Sequence, residues 1–173
     1  EVVARIPDLG PALGISLHDD GIRRLLVVTF DFDPVENTQA SVRVFDVNAD
    51  RSKVAEIAGA ATADGLDWRI GDIRRTDEVV AAAEGCDGVI HLAGVLTPAC
   101  IADPVRGAEI NLIGTINVFE AARVHGLASV VYASSAGVFG PDDPVHPFPT
   151  TLYGAYTLAG EGVARSYLAV HGI

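Results

Sequence analysis

Ser129-Val-Val-Tyr-Ala-Ser-Ser-Ala-Gly-Val-Phe-Gly140 is the stretch on which the reading of this chain turns. Its first five residues form an apolar run too short for a helix, so they predict a strand. The run from Gly137 to Thr151 is rich in Pro, Gly and Asp and predicts a loop. Beyond it the spacing predicts a helix over 152–171, with Gly172 after its end. Gly154, Gly160 and Gly162 inside that helix each cost ~1 kcal/mol relative to alanine, a cost that close backbone packing can offset.

Upstream the same alternation of short apolar runs and helical patterns repeats. Asp103-Pro104 predicts a helix start, because the carboxylate accepts orphan N–H groups and proline suits the first turn. That helix runs to His125-Gly126. It carries one apolar face of Val105, Ala108, Leu112, Ile116 and Phe119 and another of Ile110, Ile113, Val118 and Ala121. A helix apolar on two sides is expected to be buried twice, the second time against something such as a partner subunit. Before it, Gly88-Val-Ile-His-Leu-Ala93 predicts a buried strand, Thr76–Glu84 a short helix ended by Gly85, and Leu66, Trp68 and Ile70 an alternating strand closed by Gly71-Asp72. Asp50 is placed to cap a helix through Val54, Ile57, Ala58 and Ala61, with Gly65 ending it. Val42, Val44 and Phe45 lead as a strand into Asp46, and Arg24–Phe30 forms another, whereas Asp31–Ala40 follows neither period. Strands alternating with helices predict a parallel sheet with crossover helices.

With 173 residues, about half of them hydrophobic and a fifth charged, the chain suits a single globular domain over 1–173, its first segment, 1–41, being atypical. A formal net charge of −11 repels phosphate backbones and anionic headgroups, so neither nucleic acid nor a membrane surface is an expected partner. Backbone N–H groups can still hold a small anionic ligand. Cys86 and Cys100 have neither the spacing nor the histidine neighbours of a metal site, so no metal is expected and both are read as reduced thiols. Glu1–Gly10 has no basic region leading into an apolar run, and no stretch of ~20 apolar residues occurs, so the expectation is a soluble, cytoplasmic protein.

Five pieces now stand in order: Gly71-Asp72-Ile73; His91-Leu-Ala-Gly94; Asn111-Leu-Ile-Gly-Thr-Ile-Asn-Val118 with Glu120-Ala-Ala122; Tyr132 through Gly140; and Tyr153-Gly-Ala-Tyr-Thr-Leu-Ala-Gly-Glu161. This order and spacing resemble the extended short-chain dehydrogenases/reductases, the NAD-dependent epimerases and dehydratases, over about residues 66–173. The resemblance implies a doubly wound, mostly parallel Rossmann-like sheet. It also implies NAD-dependent redox chemistry on a nucleotide-sugar or similarly hydroxylated small molecule. On that resemblance Asp46 would bind the adenosine ribose hydroxyls, its charge favouring NAD over NADP, and Asp72 would accept from the adenine amino group with Ile73 against the ring. Leu92, Ala93 and Gly94 would leave room for the cofactor, Asn111 would bridge backbone or water near the site, and Ser134 would lie among the cofactor-binding positions. Ser135 would hold the substrate oxygen while Tyr153 removes the hydroxyl proton. His91 is read as a packed strand-end residue with no catalytic role. A homodimer through helices 104–125 and 152–171 is also implied.

The chain departs from the family at three places. The family's lysine, four residues after the tyrosine on the same helix face, is Thr157 here. An ammonium there lowers the phenol pKa, so a threonine forfeits on the order of a hundredfold in phenolate at neutral pH if that shift is about two units. The family's glycine-rich phosphate loop is not recognisable either, because no glycine occurs between Gly21 and Gly59 and the strand leads into Asp31 and Asp33. The chain also ends where the family enters its next strand, so the sheet is expected to be incomplete, without the carboxyl-terminal substrate region. The expectation is therefore an NAD-dependent epimerase/dehydratase-like oxidoreductase with impaired catalysis. The alternative is a non-catalytic nucleotide-binding or interaction module, or a fragment of such an enzyme.

Overall fold

A computed structural model describes residues 22–23, 25–29 and 41–173. Its main strands are β2 (Leu25–Thr29), β3 (Ser41–Asp46), β4 (Asp67–Ile70), β5 (Gly88–His91) and β7 (Ser129–Tyr132). Two short strands, β1 (Ile22–Arg23) and β6 (Gly94–Val95), pair with each other outside this sheet. The five main strands lie in the order β4-β3-β2-β5-β7. Pairs β3–β4 and β5–β7 are parallel, while β2 runs antiparallel to both its neighbours. Four strands thus point one way, as a mostly parallel sheet requires, and the central strand is reversed. Residues 30–40 are fewer than the dozen or more that a parallel crossover needs, and β2 and β3 pair in register from Leu25↔Phe45 to Thr29↔Ser41.

Between the strands the helices fall largely where the periodicity puts them, with local differences that have local causes. The helix after Asp46 is two helices, α1 (Ser52–Ala58) and α2 (Ala60–Gly65). Gly59 between them has φ 87° and ψ 150°, a backbone conformation essentially open only to glycine. Asp50 serves the start, its carboxylate accepting the Ser52 N–H at 2.9 Å. Helix α3 (Thr76–Ala83) ends just before Gly85 at φ 73°. A short helix that the periodicity does not announce, α4 (Thr97–Ala102), carries Pro98 in its first turn. The predicted 104–125 helix is α5 (Pro104–Ala108), a π-helical turn over Glu109–Ile113 and α6 (Gly114–His125). Asp103 caps it by accepting the Arg106 N–H at 3.0 Å, and Gly126 ends it in the left-handed region.

The run after β7 is only partly loop. Ala136–Val138 forms a 3₁₀ turn, and β8 (Phe139–Gly140) pairs antiparallel with β9 (Asp143–Pro147). The Asp143 carboxylate tightens that hairpin by accepting the N–H groups of Val145 and His146. Helix α7 spans Leu152–His171 as predicted, with the Thr151 hydroxyl accepting from the Gly154 N–H and Gly172 left-handed at its end.

The main core lies on one face of the sheet, where Phe45, Val89 and Leu127 meet Val79 and Ala83 of α3 and Val118 and Ala122 of α6. A smaller cluster around Val44, Trp68 and Ile90 covers the other face, with the Trp68 indole donating to the Ala63 carbonyl of α2. The first apolar side of the 104–125 helix is only partly buried: Phe119 is in the core, but Val105 at its start is exposed. On the second side Val118 and Ala121 are buried and Ile113 is exposed, as are Leu168 and Val170 of α7. Cys86 and Cys100 are buried free thiols, and burial is the largest cause raising both pKa values. Among the described residues no helix is long and apolar enough to cross a membrane, and no group of three His, Cys, Asp or Glu side chains could hold a metal.

Candidate active site

Because β5 and β7 are parallel and in register, His91 at the end of one sits beside Tyr132 at the end of the other. A cleft opens over these strand ends. Leu92, Ala93, Gly94, Asn111, Tyr153 and Thr157, all singled out by the sequence, line it together with His91, Thr115 and Tyr132. The cleft is partly open to solvent and offers little room, about 20 Å³.

Ser135 and Tyr153 are brought together around Gly137. The Ser135 hydroxyl accepts the Gly137 N–H at 3.1 Å, leaving its own proton to donate. A side-chain carbon placed on Gly137 would lie 3.4 Å from Cδ1 of Tyr153 and 3.5 Å from Oγ of Ser135. The gap is held by α7, whose Gly154 packs directly on the Gly137 carbonyl. Gly160 presses likewise on the Tyr132 ring, so two of the three helix glycines are required by close packing; Gly162 has open space beside it.

Thr157 sits one turn along from Tyr153 and is buried. Its hydroxyl donates to the Tyr153 carbonyl at 2.8 Å, and its own carbonyl accepts from the Tyr132 hydroxyl at 3.2 Å. The side chain is therefore bonded back into its own helix and brings no charge to the phenol. Lys53, the one lysine of the chain, pairs with Glu56, and Arg165, two turns further along the helix than Thr157, pairs with Glu161.

Asn111 does what an amide inside a helix must do to be tolerated. Its Oδ1 accepts the Val95 N–H and its Nδ2 donates to the Val95 carbonyl, both at 2.8 Å. It lies in the π-helical turn, a departure from regular helix that often marks a functional position. Ser134 points elsewhere: it is exposed and donates to Glu161 at 2.6 Å.

The remaining cofactor candidates are already committed to the protein. Asp46 is buried, and its carboxylate accepts the Asn48 N–H at 2.7 Å. Asp72 is gripped by the Arg74 guanidinium, at 2.6 Å from Nη2 and 2.9 Å from Nε, which holds its pKa below the usual carboxylate range. Arg74 also reaches Glu109 at 3.1 Å, tying Asp72 to the π-helical turn. Ile73 is turned into the core, where a side-chain carbon on Gly114 would meet it at 3.0 Å, rather than lying open for a ring to cover.

A dinucleotide needs main-chain donors for its diphosphate at the carboxyl ends of the strands. Reversal of β2 puts its own carboxyl end, Thr29, beside Ser41 at the opposite end of the sheet from Asp46 and His91. On the cleft side, the Gly94–Val95 backbone, expected to be open to a cofactor, is paired with Ile22–Arg23. With Asp72 and Ile73 placed as above, the described residues do not fit a complete dinucleotide.

His91 is a packed strand-end residue, as the sequence reads it, and it also lines the cleft. It is 1% exposed, stacked on Tyr132 with ring centroids 5.7 Å apart, and its Nε2 lies 2.9 Å from the Thr115 hydroxyl. Burial pulls its pKa down to about 4, so the ring is neutral at physiological pH. Only its place in the His91-Leu-Ala-Gly94 turn could have signalled that it lines the cleft.

The model of the NAD dependent epimerase/dehydratase family matches residues 34–173. The chain is 36% identical to uronate dehydrogenase from Agrobacterium fabrum over 105 residues, 56% of this chain and 38% of that protein. It is 31% identical to a bifunctional UDP-glucose 4-epimerase and UDP-xylose 4-epimerase from Pisum sativum over 140 residues, 79% of this chain and 36% of that protein. In three dimensions it resembles a double mutant of dTDP-glucose 4,6-dehydratase from Streptomyces venezuelae solved with NAD bound. The TM-score is 0.68 at 26% identity, covering 77% of this chain and 44% of the other. The chain spans less than half the length of each of these relatives. With a match extending over most of its length, it belongs to the NAD dependent epimerase/dehydratase family.

Proposed function

We propose that this chain retains the hydroxyl-activating half of an NAD-dependent epimerase/dehydratase-like oxidoreductase, in impaired form. The substrate class is a nucleotide-sugar or similarly hydroxylated molecule, the kind of compound named in its epimerase, dehydratase and uronate dehydrogenase relatives. In this reading the Ser135 hydroxyl donates to the substrate oxygen while Tyr153 takes its proton, the two groups meeting across Gly137. Proton removal by a positioned phenol is efficient only when its pKa is brought toward the working pH.

The observation that carries the impairment is Thr157: buried, uncharged, and hydrogen-bonded back to the Tyr153 carbonyl. Thr157→Lys tests it. With NAD raised to about millimolar concentration to offset the missing diphosphate contacts, initial rates of NADH formation with a uronate are expected to rise, by up to about a hundredfold if the ammonium shifts the phenol by about two units. A variant that folds and turns over no faster removes the charge argument. The reversed β2 supports a second reading, a non-catalytic module, because the dinucleotide has no described cradle. That reading predicts no NADH formation by either chain.

A further inference from the structure

We propose that Glu161 is a positioning residue for Ser135: from the helix that carries Tyr153, its carboxylate holds Ser134 and so sets the serine hydroxyl next to it. This role rests on the proposed hydroxyl-activating function, to which it adds a residue. Ser134, which the resemblance places among the cofactor positions, instead donates its hydroxyl to Glu161 Oε1 at 2.6 Å. That length is typical of an O–H···O⁻ bond, roughly twice as strong as one between neutral groups. The other carboxylate oxygen is steadied by Nη1 of Arg165 at 3.4 Å, one turn further along α7.

Ser135 is bracketed by ties to α7. On its amino side Ser134 is bound to Glu161, and on its carboxyl side Gly154 packs on the Gly137 carbonyl. Behind both, the Tyr132 hydroxyl donates to the Thr157 carbonyl at 3.2 Å. Positions 154, 157 and 161 recur at helical spacing, so one stripe of α7 receives the whole stretch from Tyr132 to Gly137. The contacts at Gly154 and Thr157 engage backbone and fix the separation of strand end and helix. The contact at Glu161 joins two side chains and acts beside Ser135 itself. Because the peptide between Ser134 and Ser135 is planar, a rotation there swings both hydroxyls, and a bond on the first restrains the second. The restrained hydroxyl is the one that accepts the Gly137 N–H at 3.1 Å and faces the Tyr153 ring across Gly137.

Amide hydrogen exchange at Gly137, followed by NMR on the full chain, reads the placement of the Ser135 hydroxyl without substrate or turnover, because that hydroxyl accepts the Gly137 N–H. Glu161→Ala should speed exchange at Gly137 by about 3- to 10-fold, less than a buried bond to a charged group would give, because this one is exposed. Core amides of α6, such as Val118 and Ala122, should keep their rates. Glu161→Gln, whose side-chain carbonyl still accepts from Ser134, should restore most of the protection. Ser134→Ala should match Glu161→Ala, and the double variant should add nothing to either. Exchange at Gly137 that is unchanged in Glu161→Ala, or that rises together with the core amides, or that glutamine does not restore, overturns the proposal. Failure of the functional reading shows separately, as a Thr157→Lys chain that gains no turnover while its Gly137 amide still depends on Glu161.

Discussion

Replacing Gly154 with alanine tests how α7 holds Ser135 to Tyr153. A Cβ at this position would lie 2.9 Å from the Gly137 carbonyl carbon, closer still to its oxygen, and 3.0 Å from Cβ of Pro149. None of these is the end of a flexible side chain, so the helix start or the Gly137 turn must move. Gly162, eight residues on in the same helix, has nothing within 4 Å of the same added atom. Alanine gains about 1 kcal/mol over glycine in a helix interior, and overpacking costs about 1–3 kcal/mol, here toward its upper end because backbone is struck. Gly162→Ala should therefore stabilise by up to about 1 kcal/mol and raise Tm by up to about 4 °C, while Gly154→Ala should lose roughly 1–2 kcal/mol and lower Tm by about 2–8 °C. Thermal unfolding followed by far-ultraviolet circular dichroism reads both. A Gly154→Ala chain as stable as Gly162→Ala would refute the packing of α7 on Gly137, and with it the account of what sets the serine–tyrosine distance.

Stability should also depend on pH through His91, whose pKa falls from 6.5 to about 4 on folding. Both states are neutral above the unfolded value; between the two values only the unfolded chain binds the proton, so stability is lost as pH falls through that window, by on the order of 3 kcal/mol. Denaturant unfolding across that range checks it, and a slope unchanged in His91→Phe would show that another group is responsible. Asn111→Ala removes both bonds to Val95 and leaves two partly buried backbone groups without their partner, which should cost roughly 2–3 kcal/mol. Faster hydrogen exchange at the Val95 amide is the accompanying signature, and unaltered exchange would deny the clamp.

What the sequence made legible was whatever is decided locally or by a strong period. The 152–171 helix, the Asp103 cap and the strands that begin at Gly88 and Ser129 all follow from spacing and flanking residues, the strands ending one or two residues sooner than the apolar runs suggest. The encounter of Ser135 with Tyr153 was available only by resemblance, since a loop and a hairpin separate them in the chain. The direction of β2 could not be read, because a strand's own residues do not state which way its neighbours run. Gly59 looked like one small residue in a helical pattern, and only its backbone angles make it a break. The links of His91 to Thr115 and of Ser134 to Glu161 join residues 24 and 27 apart, across elements whose packing no local pattern encodes.

Calorimetric titration of the whole chain with NAD bears most directly on the central claim, that the hydroxyl-activating pair persists on a scaffold whose described residues form no diphosphate cradle. The account predicts no saturable heat in the micromolar range. Micromolar binding would contradict it, and would require the central strand to present its carboxyl end to the cleft after all.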